Sequence, residues 1–131
     1  MQKQLIKWYQ ENKRDFPWRK DQDPYHIWIS EIMLQQTTTE TVIPYYNRFL
    51  KNFPNVEALA SASLEEVYKM WEGLGYYRRA KHIHESAQII LEKYQGVFPY
   101  EYDAILSLKG IGEYTAGAIS SIAYGKQVPA V

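Results

Sequence analysis

The stretch Leu108-Lys109-Gly110-Ile111-Gly112, followed by Glu113-Tyr114-Thr115-Ala116-Gly117-Ala118-Ile119, constrains this chain more than any other. Two glycines flank one apolar residue, and a helix of small residues follows at once. Gly110 and Gly112 are expected to take backbone angles that other residues resist, turning the chain tightly with its amides exposed. Those amides lie at a helix start, where unpaired N–H groups and the helix dipole attract an anion such as a phosphate. Ile111 can plug the turn between two helices. An ordinary helix–helix turn with a glycine C-cap leaves the same pattern, so the motif decides nothing alone.

The remaining periodicity is helical. Leu5, Ile6, Trp8 and Tyr9 form one apolar stripe. Asp23-Pro24 reads as a cap with proline at the first helical position, opening a nearly all-apolar helix over residues 25–36. Val42, Tyr45, Tyr46, Phe49 and Leu50 make another helix, with Pro44 opening or kinking it. Asn55 caps a short segment, and Ser63 with Glu66 forms a capping box ahead of Val67, Met70 and Trp71. Gly73-Leu74-Gly75 breaks the chain before a long amphipathic helix that carries Tyr77, Ala80, Ile83, Ala87, Ile90, Leu91 and Tyr94 and ends at Gly96. Ile105, Leu106 and Leu108 belong to the first helix of the hairpin; residues 113–124 form the second and stop at Gly125. No segment alternates with period two. The expected fold is all-α, a compact orthogonal array of helices.

A chain of 131 residues reads as one domain, and its 46% hydrophobic and 23% charged content is globular. Formal net charge is zero, so no global basic footprint marks a nucleic-acid binder. Charge is nevertheless clustered: Lys3, Lys7, Lys13, Arg14, Arg19 and Lys20 near the start, then Arg78, Arg79, Lys81, His82 and His84. Such runs are usually solvated faces. The 12 tyrosines and 4 tryptophans exceed what a small core needs and suit a surface that stacks on bases or packs on a partner. Without cysteine there are no disulfides, thiolate metal sites or cysteine nucleophiles in these residues. With no signal peptide or membrane-spanning run, the expectation is a soluble cytoplasmic monomer that engages no membrane.

Between Asp23 and Glu40 the only acidic residue is Glu31. On a helix it shares a face with Ile27, Leu34 and Gln35, while Ile29, Ile32 and Met33 cover the rest. A carboxylate so placed is partly desolvated, which raises its pKa and lets it deliver a proton near neutral pH. A rim glutamate paired with Arg14 or Arg19 is the other reading. Gln35-Gln36-Thr37-Thr38-Thr39 follows; these side chains can hydrogen-bond base edges or simply cap the helix end.

Ser30-Glu31-Ile32-Met33-Leu34-Gln35-Gln36-Thr37, Gly73-Leu74-Gly75-Tyr76-Tyr77, the hairpin ending Tyr114-Thr115-Ala116-Gly117-Ala118, and Asp15-Phe16-Pro17-Trp18-Arg19 together resemble one family. They are similar, in order and at compatible spacing, to the helix-hairpin-helix DNA glycosylases, and among these to the MutY-type adenine DNA glycosylases. The resemblance covers essentially the whole chain. It implies base-excision repair: removal of adenine mispaired with 8-oxoguanine or guanine in double-stranded DNA, after extrusion of the base from the stack. It also implies that Glu31 is the general acid and that Tyr114 belongs to the catalytic pocket. Gln36 and Tyr76 would wedge into the duplex around the oxidised guanine, with Gln35 beside them. Arg14, Trp18 and Leu34 would form the adenine pocket wall, and Gly110, Ile111 and Gly112 the phosphate-gripping hairpin. For Tyr76, Trp18 and Leu34 a plain core role remains open.

Endonuclease III-type glycosylases with lyase activity are the nearest alternative family. They carry a lysine nucleophile where this chain has Tyr114, and no glutamate at the position of Glu31, which favours a monofunctional enzyme. A non-catalytic helix-hairpin-helix DNA-binding module is the other alternative. The resemblance places residues 1–23 as an N-terminal helix and loop packing on a later domain, and 24–131 as the helical glycosylase domain with its hairpin at 101–124. It also places the catalytic aspartate immediately after Val131, and the four cysteines of a [4Fe–4S] cluster further downstream. These residues by themselves are therefore expected to be inactive and to hold no cofactor.

Overall fold

In a computed structural model, residues 22–35 and 37–126 are described. All regular structure among them is helical. α1 (Pro24–Leu34), α2 (Thr39–Asn52), α3 (Val56–Ser61), α4 (Leu64–Trp71), α5 (Tyr77–Tyr94), α6 (Tyr102–Leu106) and α7 (Glu113–Tyr124) follow in order. The N-terminal stripe of Leu5, Ile6, Trp8 and Tyr9 lies outside the described residues, as does residue 131.

Most helix starts obey local chemistry. The Asp23 carboxylate accepts from the Tyr25 amide at 2.8 Å, and Pro24 occupies the first helical position. Asn55 accepts from the Ala58 amide at 2.8 Å, and Ser63 and Glu66 form the reciprocal capping box. Two boundaries differ from expectation. α1 stops at Leu34, because Gln35 turns to an extended conformation. Leu108 lies beyond α6, which is only five residues long. Pro44 neither opens nor ends its helix; α2 runs through it on an exposed face, so the Glu40 carbonyl lacks its usual helical donor.

The core forms between α1 and the helices around it. Ile27, Trp28, Ile29, Ile32 and Met33 are all buried, and each large apolar side chain so placed contributes about 1.5–3 kcal/mol. α1 packs on α2 and on α7, while the long α5 packs on α3 and α4. Phe49 meets Trp71 edge-on at 6.1 Å, and Trp28 packs against Phe98 at 5.6 Å. Polar pins join the parts. The buried Tyr25 hydroxyl donates to the Phe53 carbonyl at 2.7 Å, and burial pushes this phenol well above its ordinary pKa, so it stays a neutral donor. His84 is buried with Nε2 2.7 Å from the Ala62 carbonyl, fixing the α3–α4 link to α5.

Candidate nucleic-acid interface

The glycine turn between α6 and α7 is held by α5. Ser86 Oγ, fully buried, donates to the Lys109 carbonyl at 3.0 Å. Gly110 has φ +74°, and a Cβ there would lie 2.8 Å from His82 Nδ1 and 2.9 Å from His82 Cβ. Glycine is thus required at 110 twice over, by backbone and by space. Ile111 is buried and plugs the turn, as expected. Gly112 corrects the expectation from sequence: its φ of −93° and ψ of 179° are extended backbone open to any residue, and a Cβ would meet nothing within 4 Å. Replacing Gly110 with valine is expected to cost about 1–3 kcal/mol, and Gly112→Val little. Thermal unfolding of the two variants checks this; equal losses would contradict the difference in backbone.

At Gly112 the chain enters α7 with no side-chain cap, so the first-turn amides face outward beside the exposed Glu113 and Tyr114. This is the geometry an anion can use.

A second feature stands at the start of α5. Tyr76 has φ 56° and ψ 56°, a left-handed conformation costly for a bulky side chain, and is 61% exposed. Strain of this sort persists only when surroundings over-determine it, and it concentrates at functional positions. The preceding turn is pinned by Trp71 Nε1, which donates to the Gly75 carbonyl at 3.0 Å. Tyr77 leans edge-on against Tyr68 at 5.6 Å. A core role for Tyr76 is therefore excluded.

The two features share one cleft. Gln35, Tyr76, Arg78, Arg79, His82 and Gly110 line a depression of about 360 Å³. Among the described residues no carboxylate lines it, so its character is cationic and aromatic. The expected solvated run of charge splits accordingly. Arg78 and Lys81 are exposed, His82 lies half-buried against Gly110, and His84 is buried. Arg79 turns inward, with Nη1 2.6 Å from both the Ile32 and the Gln35 carbonyls at the end of α1. Burial lowers the pKa of this guanidinium, with Tyr76 acting in the opposite sense. Sequence reasoning missed Arg79, because nothing local distinguishes it from Arg78.

Of the residues singled out from sequence, the cleft unites Gln35, Tyr76 and Gly110. Glu31 and Leu34 are half-buried on α1, and Tyr114 is 68% exposed in the first turn of α7, the helix against which α1 packs. None of these three lines the cleft. Arg14, Trp18 and Gln36 lie outside the described residues.

Residues 29–131 match the model of a family described as HhH-GPD superfamily base excision DNA repair protein. Similar curated relatives include adenine DNA glycosylases of Buchnera aphidicola from Acyrthosiphon pisum, 50% identical over 90% of this chain, and of Homo sapiens, 45% identical over 93% of it. This chain spans 34% and 24% of those relatives' lengths. Among solved structures, a thermostable thymine-DNA glycosylase superposes with TM-score 0.80 at 36% identity, covering 86% of this chain and 52% of that one. An endonuclease III in non-covalent complex with DNA superposes with TM-score 0.74 at 25% identity, covering 94% and 60%. Among the described residues no helix is long and apolar enough to cross a membrane.

Proposed function

Because this chain belongs to the HhH-GPD superfamily of base excision DNA repair proteins, we propose that it is the part of an adenine DNA glycosylase that grips duplex DNA, wedges it open and supplies the general acid. The substrate is adenine mispaired with 8-oxoguanine or guanine. The observation that carries the reading is the cleft that sets exposed, strained Tyr76 and Gln35 beside the glycine hairpin, with no carboxylate among its described lining. The adenine assignment is supported by the names of the relatives and by Glu31.

In this reading the α7 amides after Gly112 hold a backbone phosphate, which orients the duplex without reading sequence. Tyr76 and Gln36 enter the stack where the opposing adenine is extruded, with Gln35 beside them at the same surface. Leu34, Arg14 and Trp18 wall the pocket that receives it. Glu31 gives its proton to a ring nitrogen of the flipped base. The glycosidic bond then breaks, its electron pair leaves with the now neutral adenine, and positive charge develops on the sugar. Water adds to the anomeric carbon and loses its proton. A second carboxylate, which the resemblance places just after Val131, would stabilise the cation and take that proton. The 131 residues contain no cysteine and so offer no thiolate ligands to a [4Fe–4S] cluster.

A lyase would need a primary amine to attack the sugar and form a Schiff base. Tyr114 cannot do so, which supports a monofunctional glycosylase.

The test is single-turnover adenine release from an 8-oxoguanine:adenine duplex, comparing this chain with one extended by its native downstream sequence. Release from the extended protein alone is expected, without a borohydride-trapped adduct. No release from either, despite tight duplex binding, would favour a non-catalytic module instead. In the same binding assay Gly112→Val is expected to weaken matched and mispaired duplexes alike, because a Cβ there would crowd the phosphate. Loss confined to the mispair would argue against the hairpin's assigned role.

A further inference from the structure

We propose that Arg79 is a positioning residue that locks the two DNA-wedging segments, the end of α1 and Tyr76, at a fixed spacing. This deepens the functional reading above and rests on it.

One guanidinium touches everything involved. Its Nη1 donates to the carbonyls of Ile32 and Gln35, both at 2.6 Å, at the C-terminal end of α1, where the Ile32 carbonyl also accepts the Gln35 amide at 3.3 Å. Its Cζ lies 5.2 Å from the Tyr76 ring centroid and 5.6 Å from that of the buried Trp71. The Arg79 backbone amide also donates to the Tyr76 carbonyl at 2.9 Å. Tyr76 is thereby held from both its backbone and its ring, which accounts for a bulky residue staying left-handed while its side chain is mostly in solvent.

The pairing is incomplete in an informative way. Arg79 Nε and Nη2 are buried without a hydrogen-bond partner among the described residues. Buried donors are normally satisfied, and a residue serving only to cap α1 would gain from full pairing. The unpaired nitrogens belong to a guanidinium set against the Tyr76 and Trp71 rings, a place that packing on aromatics explains and capping of α1 alone does not. Lysine replaces only half of this: its ammonium can donate to the same two carbonyls, as the single Nη1 does, but it has no planar face to set against the Tyr76 and Trp71 rings.

The experiment compares Arg79→Lys, Tyr76→Ala and the double variant in the chain extended by its native downstream sequence. The readout is the ratio of affinities for an 8-oxoguanine:adenine duplex and a matched duplex, with thermal stability measured alongside. Arg79→Lys is expected to lower that ratio about five- to hundredfold, the range that stacking on one base supplies. The double variant should fall no further than Tyr76→Ala alone. A merely structural role would lower stability and both affinities while leaving the ratio intact, and that result overturns the proposal. So does an additive double variant. If Tyr76→Ala itself leaves the ratio unchanged, the wedge reading fails, and the proposal with it. Should Arg79→Lys be unfolded by circular dichroism, Arg79→Gln, which retains one donor for α1 but no stacking cation, is judged by the same ratio.

Discussion

Changing Glu31 to glutamine in the protein extended by its native downstream sequence is expected to slow adenine release about 10²- to 10⁴-fold, the usual contribution of a positioned general acid. The substitution keeps the shape of the side chain and removes only its transferable proton. Glu31 sits half-buried on α1, whose neighbours Ile29, Ser30, Ile32 and Met33 are all buried, so the helix and its register should survive. Affinity for the mispaired duplex should change little, since the proton is needed only as the glycosidic bond breaks. Single-turnover rates with saturating protein separate the two effects. A variant that binds as the parent does and still releases adenine at the parental rate would remove Glu31 from the chemistry.

Truncating Tyr76 produces the second large effect, and in the opposite quantity. Tyr76→Ala should lose about 1–3 kcal/mol of preference for the 8-oxoguanine mispair over matched DNA, the worth of one base stacked on an aromatic ring. Binding to matched duplex should hold, because in the proposed reading the α7 amides that take the phosphate are untouched by the substitution. Tyr76→Gly adds a sharper expectation. At φ 56° glycine relieves backbone strain, so this variant should melt no lower than Tyr76→Ala while losing the same preference. Measured melting temperatures and competition binding decide the matter. A Tyr76→Gly protein clearly less stable than Tyr76→Ala would mean the left-handed backbone is not strained, and a uniform fall in affinity would sink the wedge assignment. The pairing of outcomes reflects a general trade: strain retained at a site is stability forgone for function.

Much of this could be read from the chain because it rests on short-range chemistry. The caps at Asp23, Asn55 and Ser63 are contacts between residues two or three apart, and the same three starts appear in the structure. The limits of α7 at Gly112 and Gly125 were legible for the same reason. Glu31 stood out because it alone interrupts an apolar helix. Where expectation missed, a partner distant in sequence was responsible. Gly110 and Gly112 look alike in the motif, yet only Gly110 faces His82, so only Gly110 is under steric pressure. The run from Arg78 to His84 reads as one charged face, yet a helix turns each successive side chain by about a quarter-turn or more. Arg78 therefore meets solvent, while Arg79 meets Trp71 and the end of α1 and His84 meets the Ala62 carbonyl.

The sequence by itself determined an all-helical fold, the places where most helices begin and stop, and the glycine turn that leads into α7. Those properties follow from periodicity and from contacts within a turn. Only the tertiary structure decided that Tyr76 is exposed in a strained backbone, that the half-buried Arg79 sits against its ring, and that Gln35, Tyr76 and Gly110 share one cleft. Burial and proximity depend on which helix lies across from a residue, and that is set by the packing of the whole core.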